Sequence, residues 1–209
     1  MEFTKMAQER RKPTQVRGKE KVELILNAAK ELIGERGNDA VSMREIAKEC
    51  GIAPSSIYQY FPDKNALLEA IMAEYYEKFA DILESGFNGV SDMDGYAKAA
   101  DKGLDRFYKL FKEEPILATI WASVQGNTVL LEMDIRDSRE NAEIMTKVQC
   151  SIFPTLKRKD IFDTNFLLAN MMGPTVRVAL TVGGAEGNRL MKTFKELVIQ
   201  RIKSIVDKV

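Results

Sequence analysis

The side chains of this chain best placed to do chemistry are hydrogen-bond donors, and they crowd between Ser42 and Lys64. Ser42, Arg44, Ser55, Ser56, Tyr58, Gln59, Tyr60 and Lys64 bring hydroxyls, phenols, an amide, a guanidinium and an ammonium into one short stretch. Hydroxyls and phenols donate to phosphate oxygens. Glutamine pairs with adenine in the major groove, and serine meets several base edges. The chemistry implied is recognition of double-stranded DNA. Bond-making chemistry has less to work with. The chain has no histidine, which excludes Ser-His-Asp and Cys-His catalysis and histidine-ligated zinc. Gly183-Gly184-x-x-Gly187 has no strand before it, so it reads as an interhelix loop and not as a dinucleotide fingerprint. No cofactor and no metal is expected, and no motif points to an enzyme.

Two short helices and a tight turn must position these donors. Ser42 and Glu45 make an S-x-x-E capping box, which predicts a helix from about Met43. Ile46, Ala47 and Cys50 supply its apolar stripe. Gly51 stands where a residue of positive φ closes a helix. Ile52 fills the corner, and Pro54 suits the first turn of a second helix predicted over 54–61. Ile57 and Phe61 face the core from that helix, leaving Ser55, Ser56, Tyr58, Gln59 and Tyr60 to face outward. Upstream, Val22, Ile25, Leu26, Ala29, Leu32 and Ile33 repeat with a helical period, closed by Gly34 and Gly37. Downstream, Asp63 can cap a long helix to about Leu83, with Leu67, Leu68, Ile71, Met72, Tyr75, Phe79 and Ile82 as its core stripe.

The run ILNAAKELIGERGNDAVSMREIAKECGIAPSSIYQYFPDKNALLEAI resembles the DNA-binding domain of TetR-family transcriptional regulators. The likeness rests on an AA-x-x-L first helix, IA-x-x-x-GI, S-x-Y-x-YF, and a lysine-bearing turn into x-LL. It spans roughly residues 20–72. It implies that Arg44, Ser55, Ser56, Tyr58, Tyr60 and Lys64 lie at positions that touch DNA, and that Ser42 starts the second helix at a phosphate. With Pro54 and Gln59 these form the candidate DNA-binding set. Tyr58, Tyr60 and Lys64 read as phosphate anchors. Arg44, Ser55, Ser56 and Gln59 are left for bases. Ala53 departs from the pattern, because a Ser or similar cap often precedes the second helix, and its absence costs about 1 kcal/mol.

The whole chain reads as all-α, with about nine helices. At 209 residues, 45% apolar and 30% charged, it can bury a sizeable core. Net charge is zero, but Lys5 to Lys21 holds seven basic residues against Glu9 and Glu20. Residues 1–17 are expected to be a flexible basic arm. It either follows phosphates or the minor groove or is solvated without a role. Residues 18–64 form the helix-turn-helix domain, and 65–209 a helical domain for ligand binding and dimerisation, bridged by the helix 65–83. Glu23 interrupts the only apolar run that could be a signal peptide, and Asn170, Gly173-Pro174 and Arg177 break the most apolar stretch, so no membrane is expected and a cytoplasmic location is. Cys50 and Cys150 read as separate free thiols.

Helices are predicted over 93–113, 115–124, 128–153, 159–182 and 186–207. The last two carry broad apolar stripes, and the family resemblance implies that such helices pair in a homodimer through a four-helix interface. The candidate interface is Leu168, Met172, Leu190, Phe194, Leu197, Val198 and Ile202. A dimer also lets two short reader helices address a pseudo-palindromic operator with half-sites about one turn apart. The resemblance further implies a small-molecule effector, expected to be apolar or amphipathic. Phe107, Phe111, Trp121, Met133, Met145 and Phe166 are candidate pocket residues, with Arg136 and Arg177 to orient an anionic or carbonyl group. The leading expectation is a dimeric repressor released from its operator by ligand. The alternatives are an activator or ligand-independent regulator, or a helical ligand carrier whose hairpin is incidental.

Overall fold

The computed structural model describes residues 2–124 and 126–207, with side chains from Arg17 onward except that of Asp160. All regular elements among the described residues are helices: α1 Glu2–Arg36, α2 Met43–Glu49, α3 Pro54–Ile57, α4 Lys64–Phe87, α5 Met93–Glu113, α6 Pro115–Val124, α7 Thr128–Ile152, α8 Arg158–Val182 and α9 Gly184–Val206. The chain divides into two compact units, Met1–Ile71 and Met72–Val209, so the boundary falls within α4 and seven residues later than expected from the sequence.

In the first unit Ile25, Leu26, Ala29, Leu32 and Ile33 of α1 are buried with Met43, Ile46 and Ala47 of α2, Ile57, Phe61, and Leu67, Leu68 and Ile71 of α4. Gly37 ends α1 at φ 85°, its amide bonded to the Ile33 carbonyl at 2.9 Å. The turn after α2 is a Schellman motif. Gly51 sits at φ 62° and donates to the Lys48 carbonyl, and Ile52 donates to the Ala47 carbonyl, both at 3.0 Å. Residues 2–17, expected as a flexible basic arm, have a helical backbone that continues α1 from Glu2. Met6 to Lys12 consists of strong helix formers, which favours this continuation.

In the second unit α7 packs on α8, α8 on α9, and α5 on α6, α8 and α9. The helix starts follow local chemistry: Asp92 caps α5 through the Gly95 amide at 2.7 Å, and Asn127 caps α7 through the Val129 and Leu130 amides at 3.1 and 3.2 Å. α4 runs four residues past the expected end at Leu83, because Phe87 is buried against Tyr96 with ring centroids 4.8 Å apart. Gly183 alone links α8 to α9, at φ 67°. Gly187, expected in that loop, lies inside α9, where an added Cβ would stand 2.1 Å from the Ala179 carbonyl oxygen of α8. Only glycine allows the two backbones to come this close.

Candidate nucleic-acid interface and a second-unit cavity

The capping box forms as its sequence predicts. The Glu45 amide donates to Ser42 Oγ at 3.3 Å, while the Ser42 amide and hydroxyl donate to Glu45 Oε2 at 2.8 and 2.7 Å. The Ser42 hydroxyl, then its amide, hold the Glu45 carboxyl below the ordinary carboxylate range, with help from Arg36 and Lys64. Ser42 is exposed, but its hydroxyl proton is engaged by Glu45, so reaching a phosphate requires the proton to turn away. Arg44 is exposed on α2.

α3 is shorter than the predicted 54–61 helix. Regular α-helix ends at Ile57, and the chain tightens into turns: Gln59 donates to the Ser56 carbonyl at 3.2 Å and Tyr60 to that of Ile57 at 3.0 Å. Pro62 disfavours helical backbone at Phe61, and Ala53 offers no side-chain cap at the start. Burial of Ile57 and Phe61 still turns the segment as expected. Pro54, Ser55, Tyr58 and Gln59 are exposed, and Ser56 and Tyr60 are half-buried. Ser56, Gln59 and Tyr60 line a surface cleft with Gly51, Ile52, Ala53 and the exposed Lys21 of α1. The sequence showed Lys21 only as part of a basic run. In the fold it borders the same cleft as the turn residues, with Arg17 and Lys19 exposed upstream on the same helix.

Lys64 departs from a simple phosphate anchor. Its half-buried Nζ donates to the carbonyl of Asn38 and, at 2.6 Å, to that of Val41, tying the start of α4 to the loop between α1 and α2. Burial lowers its pKa, opposed by Asp39 and Glu45. Two of its three N–H bonds are spent inside the protein, leaving one for a phosphate.

The second unit holds a cavity of about 120 Å³ lined mainly by apolar side chains from α4 to α9. Of the pocket residues expected from sequence, Phe107, Trp121 and Met145 line it. Phe111 is buried one layer behind, its ring 5.0 Å from Phe107 and 5.9 Å from Trp121. Met133 does not reach the cavity wall, and Phe166 stacks on Phe162 with Arg139 over its face. Arg136 is exposed, and Arg177 donates to the Trp121 carbonyl at 2.7 Å, so neither lines the cavity as an anion-binding group. The charges that do line it are negative: Asp134 and Asp137 of α7. Asp134 Oδ1 accepts from Trp121 Nε1 at 2.8 Å and from the Tyr76 hydroxyl at 3.4 Å. Asp137 Oδ2 accepts from Asn141 Nδ2 at 2.8 Å. Burial raises the pKa of both carboxyls. That of Asp137 is pushed up to about 8, with the Asp134 and Glu140 charges adding to the effect of burial.

Several residues expected at a subunit interface are core instead. Met172, Phe194, Val198 and Ile202 are buried within their own chain, and Leu168 is half-buried on the cavity wall. A broad apolar stripe has two edges, and the inner edge packs on α5 and α7. Ten large apolar side chains are exposed among the described residues, and six belong to these last two helices: Leu167, Met171, Val178, Val182, Leu190 and Leu197. Leu190 and Leu197 alone were in the expected set. No group of three or more metal-ligating side chains occurs among the described residues. No described helix is long and apolar enough to cross a membrane.

These features define an all-α protein with a helix-turn-helix module in its first unit and a cavity-bearing helical second unit. The chain matches the family model for bacterial regulatory proteins of the tetR family over residues 25–71, and the model for the tetracyclin repressor-like C-terminal domain over residues 94–205. The second match alone spans more than half of the chain, and the protein belongs to the TetR family. It is 42% identical over 81 residues to the uncharacterized HTH-type transcriptional regulator YuxN of Bacillus subtilis, covering 38% of this chain and 28% of that protein. It is 36% identical over 70 residues to the HTH-type transcriptional regulator UidR of Escherichia coli, covering 34% and 36%. The chain thus aligns with about a third of the length of these relatives. Among solved structures, a transcriptional regulator from Cytophaga hutchinsonii superposes with a TM-score of 0.68 at 22% identity, covering 89% of this chain and 98% of that one. A TetR-family regulator from Pectobacterium atrosepticum superposes at 0.67 and 16%, covering 91% and 96%. Likeness at that identity extends to the fold alone.

Proposed function

We propose that this protein is a homodimeric, sequence-specific DNA-binding transcriptional regulator, and specifically a repressor that a small molecule releases from its operator. The observation that carries the reading is the exposed polar face of the 54–60 segment, presented by buried Ile57 and Phe61 and flanked by Lys21. Tyr58 and Tyr60 reach phosphate oxygens, with the remaining N–H of Lys64 beside them. Ser55, Gln59 and Arg44 meet base edges. Repression of this kind needs no catalytic group, because bound protein occludes a promoter, and it takes place in the cytoplasm.

A second copy is required because four helical residues and a turn contact too few bases to select a site. The exposed Leu167, Met171, Val178, Val182, Leu190 and Leu197 supply an apolar surface for a twofold interface. The cavity is the effector site. A ligand that binds one arrangement of the two readers better than the other shifts the population between them. Selection of genomic fragments by the purified protein tests the reading. We expect an enriched pseudo-palindrome, with binding weakened on every sequence by Tyr58→Ala and changed in preference by Gln59→Ala. If retention of genomic fragments is the same for both variants and the parent, the regulator reading fails.

A further inference from the structure

We propose that the cavity of the second unit selects a small cationic ligand, an apolar ring or short alkyl group carrying a protonated or quaternary ammonium, with Asp137 as its counter-ion. The inference deepens the effector reading above and rests on it for its regulatory meaning, though binding itself can be measured without DNA.

Three observations point to this class. The first is the sign of the buried charge. Asp137 is about nine-tenths buried, lines the cavity, and has one hydrogen-bond donor, Asn141. Among the described residues no lysine or arginine forms an ion pair with Asp134 or Asp137. Burial keeps the Asp137 carboxyl protonated up to about pH 8, and once ionised it faces the cavity without a paired charge, so a cation from outside favours its charged form. The second is the wall. Phe79 lies with its ring centroid 4.5 Å from Phe107 and 5.8 Å from Trp121, so three aromatic rings cluster on the wall of the same cavity. Ring faces attract cations, quaternary ammonium groups above all. The third is the fate of the arginines. Arg177 is engaged by the Trp121 carbonyl and Arg136 is exposed, so no positive charge is offered to an anionic ligand.

The two carboxylates have different duties. Asp134 is already occupied by Trp121 and Tyr76, and it positions the indole that walls the site. Asp137 keeps an oxygen free for the ligand. The size of the ligand follows from the space. At about 120 Å³ the cavity is close to one that holds a single benzene ring, and longer ligands must displace side chains.

The experiment uses the full chain and Trp121, its only tryptophan, whose fluorescence therefore reports on this wall. The probes are phenyltrimethylammonium, its neutral isostere tert-butylbenzene, and benzoate, titrated at pH 8.5. We expect saturable quenching by the cation, at least tenfold weaker binding of the isostere, and none by benzoate. Asp137→Asn, with folding confirmed by its thermal melt, is expected to weaken the cation at least tenfold and leave the isostere unchanged. Asp134→Asn separates charge from packing, since it is expected to shift the emission maximum of Trp121 as well as affinity. Equal binding of cation and isostere, preference for benzoate, no quenching by any probe, or an Asp137→Asn variant that keeps full cation affinity would each overturn the proposal. Failure of DNA retention with intact cation selectivity would sink the regulator reading alone.

Discussion

Asp137 makes the stability of the second unit depend on pH in the direction opposite to that of an ordinary paired carboxylate. Its folded pKa is about 8, raised by burial first and then by the charges of Asp134 and Glu140, against 3.8 for a free aspartate. Between those two values the folded chain holds a proton that the unfolded chain has lost. Folding stability therefore falls as pH climbs through that window, and the loss is complete above the folded pKa. Each pH unit inside the window is worth about 1.4 kcal/mol, so the total is on the order of 5 kcal/mol. Asp134, also raised by burial, shares the direction, while the hydrogen bonds of Trp121 and Tyr76 and the charge of Arg177 oppose its shift. The phenol of Tyr76 stays protonated throughout, its pKa pushed well above the ordinary range by burial and by these carboxylates, with Arg136 opposing. The assay is urea unfolding followed by Trp121 fluorescence at intervals from pH 5 to pH 9. The unfolding free energy of the parent is expected to fall by several kcal/mol across that range. In Asp137→Asn, whose side-chain oxygen can still accept from Asn141, most of that slope should vanish, and the variant should be the more stable protein above pH 8. Taking the difference between the two curves removes the contribution of every other titrating group. A parent curve that is flat, or a variant that retains the parent slope, would refute the burial of an uncompensated carboxyl at this site.

Other outcomes follow from the remaining contacts. Lys64→Met keeps the aliphatic stem but loses the bonds to the Asn38 and Val41 carbonyls. It should destabilise the first unit by about 2 kcal/mol, read as a lower melting temperature without DNA present. A purely DNA-facing lysine would leave that temperature unchanged. Gly187→Ala must push α9 away from the Ala179 carbonyl and is expected to cost about 3 kcal/mol, visible as a lower urea midpoint. Leu167→Asp combined with Leu197→Asp places charge on the exposed apolar surface of α8 and α9. Sedimentation should show a folded monomer at micromolar concentration, whereas the same mass as the parent would remove these helices as the pairing surface.

The parts of the fold legible in the sequence are those set by neighbours within one helical turn. Ser42 and Glu45 cap each other across three residues, Gly51 takes a left-handed conformation that few other residues tolerate, and Pro54 opens α3 because its missing N–H costs nothing there. Helical periodicity identified most of the cores of both units, since a stripe of apolar residues must be buried against something. It could not say against what. Met172, Phe194, Val198 and Ile202 share stripes with Leu190 and Leu197, yet the first four turn inward and the last two face solvent. That choice depends on how α8 and α9 roll against α5 and α7, which involves residues far apart in the chain. Lys64 shows the same limit. A lysine at a helix start is read as exposed, and only the arrival of the Asn38–Val41 loop gave its ammonium two carbonyls. Asp134 and Asp137 are the clearest case. Charged residues on a long helix are solvated by default, so the sequence alone directed attention to the arginines nearby. Local sequence thus determined the helices, their caps and the outward polar face of the 54–60 segment. The tertiary packing decided which side of each helix meets solvent, and by burying Asp137 and half-burying Asp134 beside aromatic rings it decided that the ionisable groups lining the cavity are carboxyls.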